Sequence, residues 1–480
     1  MTKHPKENHL NSTLCEPSEK PSAQLPESVL SEVLRIALPL VVSTGTFSVV
    51  LFMDRTLLLW HDGISMSAAM AGGNLFWVCL CLPIGIVSMT GAVISQHIGA
   101  GQEKLVGKFL WQGVWLSILV TPLYLLMGTE AESIFSLTGQ ASELIPLQAS
   151  YYRILMYGST GMLLESTLSG FFSGTERTWV IMWVSLISGL VNLVLDLILI
   201  FGFGPIPGFG IEGAAVASVL SLWFKGVCYA LLLLRKPIIH RYEIVSGWRL
   251  NQKHLWRLLY FGFPAGLMHL VESGGFTAMM LRIGTYGDLE LRSSTMALNF
   301  NMVAFIPLVG LSIAASVLVG RHLIANGPVA ATRRVVVAIA MGLVYSSIWL
   351  IAYLVFPDTL LDFYQLKDPN EGSIEATRIA KTLLKFVAVY ILFDAMQLIL
   401  AGALRGAGDT WFVLLAGLTA SATAIGIGFG FEPAQDQLYW WWSILSGWII
   451  MLAVMMIARF LQGRWKTMTM IEMTSSSQSE

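Results

Sequence analysis

Apolar runs of about 20 residues constrain this chain more than any other feature, because a helix of that length matches the hydrocarbon thickness of a bilayer. Hydropathy places twelve of them near 34–60, 67–96, 108–128, 144–171, 178–202, 211–234, 255–283, 293–320, 333–356, 379–404, 410–431 and 438–462. Lipid cannot satisfy backbone groups, so runs of this length are helices; barrel strands would instead alternate over about ten residues. Composition agrees. Of 480 residues, 55% are hydrophobic and 12% charged, where a soluble domain carries about 25% charged. The expected fold class is an all-α integral membrane protein with twelve transmembrane helices. A formal net charge of −1 argues against a nucleic-acid partner.

Residues 1–32 are polar, mix both charge signs and lack the apolar stretch of a signal peptide. They are expected to be a disordered cytoplasmic tail; 464–480 is expected to be a second cytoplasmic tail, a polar stub from Thr474 to Glu480. The longest polar connection, about 235–257, holds Arg235, Lys236, Arg241, Arg249, Lys253 and Arg257. It separates an expected N-lobe, 33–240, from an expected C-lobe, 241–463. Tails and even-numbered loops hold about 20 Lys and Arg, odd-numbered loops about four, which predicts cytoplasmic termini. Trp440, Trp441 and Trp442 open the last span and are expected to form an interfacial belt. Cys15, Cys79, Cys81 and Cys228 make no CxxC pair, and no disulfide or metal role is expected of them.

The two halves repeat. Pro39, Asn74, Gly85 and His97 recur as Pro264, Asn299, Gly310 and His322, all at one constant offset. Gly170, Gly174, Thr178 and Trp179 recur as Gly402, Gly406, Thr410 and Trp411, at a second, slightly longer offset. The difference fits a longer loop before the tenth span. Six spans per half give both halves one orientation, hence two pseudo-symmetric six-helix lobes about an axis along the membrane normal. That frame suits alternating access, and so a transporter.

Acidic residues inside the spans are the sharpest chemical signal. A carboxylate at a helix centre costs about 2.5–3.5 kcal/mol on insertion scales. Five lie at membrane depth: Asp54, Glu165, Asp196, Glu272 and Asp394. Few cations accompany them: Arg55 adjoins Asp54, Lys225 lies in the sixth span, and Lys381 and Lys385 enter the tenth. Such carboxylates can exchange a proton or bind Na⁺ and so couple an ion gradient to transport; the alternative is structural hydrogen bonding between helices. Asn192 and Asp196 are four residues apart, on one helical face. His269 precedes Glu272 by three, and reads more readily as a packing donor than as a relay. Lys225 can snorkel toward the cytoplasmic end. Methionines (22) and aromatic residues (24 Phe, 16 Trp, 13 Tyr) can wall a cleft for lipophilic cations, although membrane helices are generally rich in them.

Gly406-Ala407-Gly408-Asp409 matches the GxGD string of intramembrane aspartyl proteases. Its nearest partner, Asp394, is fifteen residues away, about 22 Å along a helix, which is too far for a dyad. The segment repeats at 174–179 and reads as a turn. No HExxH, P-loop or nucleophile elbow is present in the sequence, so no enzyme is expected.

Three segments carry a family resemblance. They are FFSGTERTWVIMWVSLISGLVNLVLDLILIFGFGPIPGFGIEGAAVASVLS at 171–221, LFDAMQLILAGALRGAGDTW at 392–411 and ISQHIGAGQEK at 94–104. From about 33 to 462 the chain resembles the multidrug and toxic compound extrusion (MATE) family, in its NorM-like branch. The resemblance implies a secondary antiporter exporting small lipophilic or cationic compounds in exchange for H⁺ or Na⁺. It places Asp54 on the family's acidic position in the first helix, Asn192 and Asp196 on the N-lobe cation pair, and Glu272 and Asp394 on C-lobe carboxylates. Na⁺ is thereby expected at Asn192 and Asp196 or at Glu272 and Asp394, with Glu165 and His269 secondary. The usual V-D-T is Met53-Asp54-Arg55-Thr56 here, and Glu165 stands where relatives often carry Gln. The expected setting is a bacterial inner membrane, with a small-molecule substrate, lipid, no nucleic acid and a monomeric chain. A lipid-linked glycan flippase of the same superfamily is the alternative, although it needs a basic cleft for pyrophosphate. A non-transporting receptor is a further one.

Overall fold

The computed structural model describes residues 28–136, 144–365 and 371–472. The expected tails over 1–27 and 473–480, with Cys15, lie outside the described residues. Among the described residues there are twelve long helices: α1 (Val29–His61), α2 (Gly63–Gly99), α3 (Glu103–Thr129), α4 (Ile145–Gly174), α5 (Thr178–Phe201), α6 (Gly210–Leu233), α7 (Gln252–Gly284), α8 (Asp288–Ala325), α9 (Gly327–Val355), α10 (Glu371–Ala407), α11 (Thr410–Gly430) and α12 (Gln437–Gln462). Each corresponds to one expected span. Among the described residues, ten are long and apolar enough to cross a membrane. The other two, α4 and α7, are as long but more polar, carrying Arg153 and Glu165, or Arg257, Glu272 and Arg282.

Side chains set the helix ends. Asp62 lies in extended backbone between α1 and α2, and its carboxylate accepts from the Ile64 and Ser65 amides at 3.2 and 3.3 Å. It thus closes one helix and caps the next, where an anion also suits the helix dipole. Asn251 opens α7 in the same way, accepting from the Lys253 and His254 amides at 3.0 and 3.2 Å.

The lobes share one packing scheme. The pairs α1–α5, α2–α4, α3–α4, α4–α6 and α5–α6 recur as α7–α11, α8–α10, α9–α10, α10–α12 and α11–α12. Between lobes, α2 packs on α7 and its counterpart α8 on α1. Glycines allow this approach: a Cβ on Gly85 would fall into the Gly266 backbone, and one on Gly310 would lie 2.7 Å from the Val41 nitrogen. These two contacts are repeat equivalents. Ser95 and Gly320 are repeat mates by the first offset, and a Cβ on Gly320 would run into Ser95 Oγ. A residue meeting its own repeat mate marks the pseudo-two-fold axis.

At the end where α1 and α7 begin and α2 and α8 finish, polar side chains join the lobes. Glu32 on α1 accepts from His322 at 2.8 Å and Arg334 at 2.6 Å. Arg321 pairs with Glu176, and Gln96 Nε2 donates to the Gly406 carbonyl at 2.8 Å. The chain after α12 lies beneath both lobes. Trp465 is fully buried, the Met470 amide donates to Gln96 Oε1 at 2.7 Å, and Glu472 pairs with Lys253 at 2.8 Å.

Three expectations differ from what is observed. Helix α1 begins at Val29, so Glu32 belongs to it; the cap of Ser28 on the Ser31 amide starts the helix there. Residues 464–472 are packed rather than a free tail. Trp441 and Trp442 are buried, donating to Tyr286 Oη at 2.9 Å and Ser294 Oγ at 3.1 Å. Their indole N–H groups find partners inside the C-lobe, so a belt at the interface is not their role. Cys79, Cys81 and Cys228 are free thiols.

Candidate ion and substrate site

Helix α5 buries a polar face. Ser185, Ser188, Asn192 and Asp196 recur at helical spacing and all are buried. The Asn192 amide, its nitrogen turned toward two carboxylates, donates to Asp54 Oδ1 at 3.0 Å and Asp196 Oδ2 at 3.2 Å. Facing two acceptors, only the amide nitrogen can satisfy both. Ser218 Oγ on α6 donates to Asp54 Oδ2 at 3.3 Å. The carboxyl groups of Asp54 and Asp196, bridged by that amide, lie close enough to influence one another strongly, and Tyr151 on α4 lies within electrostatic reach of both. Asp196 is fully buried, and its Oδ1 has no hydrogen-bond partner.

The second pair of carboxylates lies in the other lobe. Gln397 Nε2 on α10 donates to Glu272 Oε1 at 3.4 Å, and His269 Nδ1 lies 3.9 Å from Glu272 Oε2. Buried Asp394 feels the charge of Glu272, as does Arg405, whose Nη2 donates to Ser312 at 3.2 Å. The five residues singled out from sequence therefore form two constellations, three in the N-lobe and two in the C-lobe. His269 joins the second. Glu165 joins neither: Lys225 Nζ lies 3.1 Å from its Oε1, each side chain 16% exposed. Lys225, read from sequence as able to snorkel, thus has a carboxylate partner on α4.

Sequence reasoning missed Tyr151, Ser218, Gln397 and Arg405. One signal was available for Gln397, which is the repeat mate of Glu165 by the second offset. Ser218, an ordinary helix serine by spacing, gave none. A third cluster joins the lobes at the termini end, where ligand atoms of Glu32, Glu176 and His322 lie within 4.8 Å of one another. Arg321 and Arg334 already neutralise its carboxylates, so the cluster is an ion-paired latch, not a cation site.

The MatE family profile matches twice, at residues 39–198 and 264–431. The two matches begin at Pro39 and Pro264, which are repeat mates, and they cover well over half of the chain. The chain belongs to the MATE family. This MATE chain is thus a multi-pass membrane transporter of a family that couples transport to cations, and not an enzyme. It is 28% identical to "Multidrug resistance protein NorM" of Burkholderia vietnamiensis over 434 residues, 89% of this chain and 92% of that one. It is 28% identical to "Probable multidrug resistance protein NorM" of Rhizobium meliloti (strain 1021), over 76% of this chain and 80% of that one. Among solved structures, a eukaryotic MATE transporter, AtDTX14, superposes with a TM-score of 0.78 at 21% identity, covering 91% of this chain and 96% of that one. A MATE family transporter of the MOP superfamily in its outward-facing conformation gives 0.81 at 19%, covering 91% and 95%. These two likenesses establish the fold.

Proposed function

We propose that this MATE protein is a secondary antiporter that exports small lipophilic or cationic compounds from a bacterial cell, taking H⁺ or Na⁺ in return at Asp54, Asn192 and Asp196. The observation that carries this reading is the orphan Asp196 Oδ1 beside a second buried carboxyl. A buried acceptor without a donor is costly. Two bare carboxylates in contact also repel, unless a proton or a cation lies between them. Arrival and departure of that ion supplies the differential free energy that alternating access needs. Binding there draws α1, α5 and α6 together, and α1 carries the change to the latch through Glu32.

Glu272 and Asp394 would face the substrate. Two like-charged carboxylates in an apolar lobe favour a cationic guest. In this reading the termini and the central loop are cytoplasmic, so the joined end is the inner one and the chain rests facing outward. The lipid-linked glycan alternative is weaker, because the membrane-depth groups gathered at both sites are mainly carboxylates, and one N-lobe cation, Lys225, is paired with Glu165.

Everted vesicles with an imposed inward-acid gradient test the reading. Tetraphenylphosphonium should collapse the lumenal acidity in the wild type and not in Asp196→Asn or Asp394→Asn. Wild-type export by Asp196→Asn would sink the site assignment. Collapse seen only with added Na⁺ calls for a separate test with an imposed Na⁺ gradient before the ion is named.

A further inference from the structure

A polar column runs inside the N-lobe from the carboxyl pair toward the termini end. On α6, Ser218, Ser221, Lys225 and Tyr229 fall at relative positions 0, 3, 7 and 11. On α5, Ser185, Ser188, Asn192 and Asp196 follow the same spacing in the opposite chain direction. Helical spacing of this kind puts each set on one face, and eleven residues extend about 16 Å.

The two faces meet along that length. At the far end, Ser218 Oγ donates to Asp54. One turn lower, Ser221 Oγ donates to the Ser218 carbonyl at 2.9 Å, and Ser188 Oγ to the Ser221 carbonyl at 2.9 Å. Below them lies the Lys225–Glu165 ion pair. The Tyr229 hydroxyl sits beside Ser185 and within reach of the Glu165 charge, without a well-formed hydrogen bond. Ser185 and Ser43 bond to each other at 2.6 Å. Next in sequence to Lys225, Gly226 is buried, yet a Cβ there would meet nothing within 4 Å, so the packing beside the pair is open.

We infer that the Glu165–Lys225 pair is a proton relay between the Asp54–Asp196 carboxyls and the termini end of the lobe. The inference rests on the proton-coupled form of the proposed function. The proton leaves a carboxyl O–H of the pair and is taken by the Ser218 hydroxyl oxygen, which gives up its own hydrogen. Hydroxyl rotation and intervening water then pass it by Ser221 and Ser188 to the Glu165 carboxylate. Glu165 becomes neutral while Lys225 keeps its charge. Release of the proton to water restores the ion pair, with no other bond changed. Both relay side chains keep 16% of their surface uncovered, whereas Asp196 is wholly covered, so the pair is the less enclosed of the two.

The two lobes support this division. The repeat mate of Glu165 is Gln397, which cannot carry a proton as a carboxylate does and instead donates to Glu272. The N-lobe therefore has the relay, and the C-lobe an amide in its place.

The test uses the full chain in proteoliposomes, with tetraphenylphosphonium as probe. Wild type must first show probe-evoked proton movement; without it the proton-coupled form of the proposed function fails, and the relay with it. Given that movement, Glu165→Gln should slow it at least tenfold while probe binding, read by tryptophan fluorescence, stays within threefold. Glu165→Asp should recover much of the rate. Ser221→Ala, a smaller change to the fold, should slow the rate about threefold and raise the H₂O/D₂O rate ratio. Wild-type rates and isotope ratios in both Glu165→Gln and Ser221→Ala overturn the relay.

Discussion

Glu176 holds a left-handed backbone conformation, φ 59°, at the position where its repeat mate Gly408 has φ 102°. Both residues follow the last turn of a long helix, and the left-handed residue there lets the Arg177 and Asp409 amides turn back to the Phe172 and Leu404 carbonyls at 2.7 and 2.9 Å. One half meets this need with glycine. The other retains glutamate at a conformational cost of about 1 kcal/mol and uses the side chain, which pairs with Arg321 across the lobe boundary.

Replacing that side chain separates the two effects. Glu176→Gly relieves the backbone but removes the latch carboxylate. The termini end should open more often, so a cysteine replacing buried Ser95 at the lobe boundary, with the native cysteines replaced, should react with a membrane-permeant maleimide several times faster than in the parent. Glu176→Gln keeps the backbone cost and should show the same acceleration with a lower thermal midpoint.

Close packing at the lobe boundary gives a second expectation. A side chain on Gly85 enters the Gly266 backbone, and overpacking of this kind costs about 1–3 kcal/mol. Gly85→Val should therefore weaken the joined state and slow export. Gly226→Ala meets nothing within 4 Å and puts a better helix former inside α6, so it should raise the thermal midpoint slightly, as measured by differential scanning fluorimetry.

Acid should loosen the far end of the C-lobe. Glu432 lies between α11 and α12, and a hydrogen bond from Arg282 at 2.7 Å holds its carboxyl below the usual range. A carboxyl depressed in the folded state adds stability above its ordinary range, and that stability disappears as pH falls through the folded value. Thermal midpoints of the wild type should thus drop below about pH 4, while Glu432→Gln should start lower and change less over the same interval.

Asn192→Leu tests the N-lobe site without touching a carboxylate. It removes the only amide that donates to both Asp54 and Asp196 among the described residues. Charge left without that donor costs about 1–3 kcal/mol, so the variant should lose stability at neutral pH and export at least tenfold more slowly. A fluorescent-cation efflux assay on matched expression levels reads this.

Much of this architecture was written in local pattern. Apolar length gave the twelve helices, and repeat offsets gave two like-oriented lobes, because both depend on spacing along the chain. Asn192 and Asp196 were legible as one face for the same reason. That Asp54 completes their site was not, since it depends on how α1 lies against α5. The Glu165–Lys225 pair was hidden likewise: its members sit on different helices with all of α5 between them, and only the packing of α4 on α6 joins them. Trp441 and Trp442 misled because a tryptophan cluster at a helix start has the same composition whether it meets lipid headgroups or fills a lobe. The left-handed turn at Glu176 could not be read from a glutamate, although its glycine mate hinted at it.

The strand of chain beneath the lobes, Arg464 to Glu472, touches Gln96 on one side and Lys253 on the other. It is stitched to both lobes, so any rocking that parts them at this end must first unthread it. A protease added on that side would then cut the segment only while the lobes are parted there. Cleavage rate would become a clock for turnover in intact membranes, readable without any substrate label.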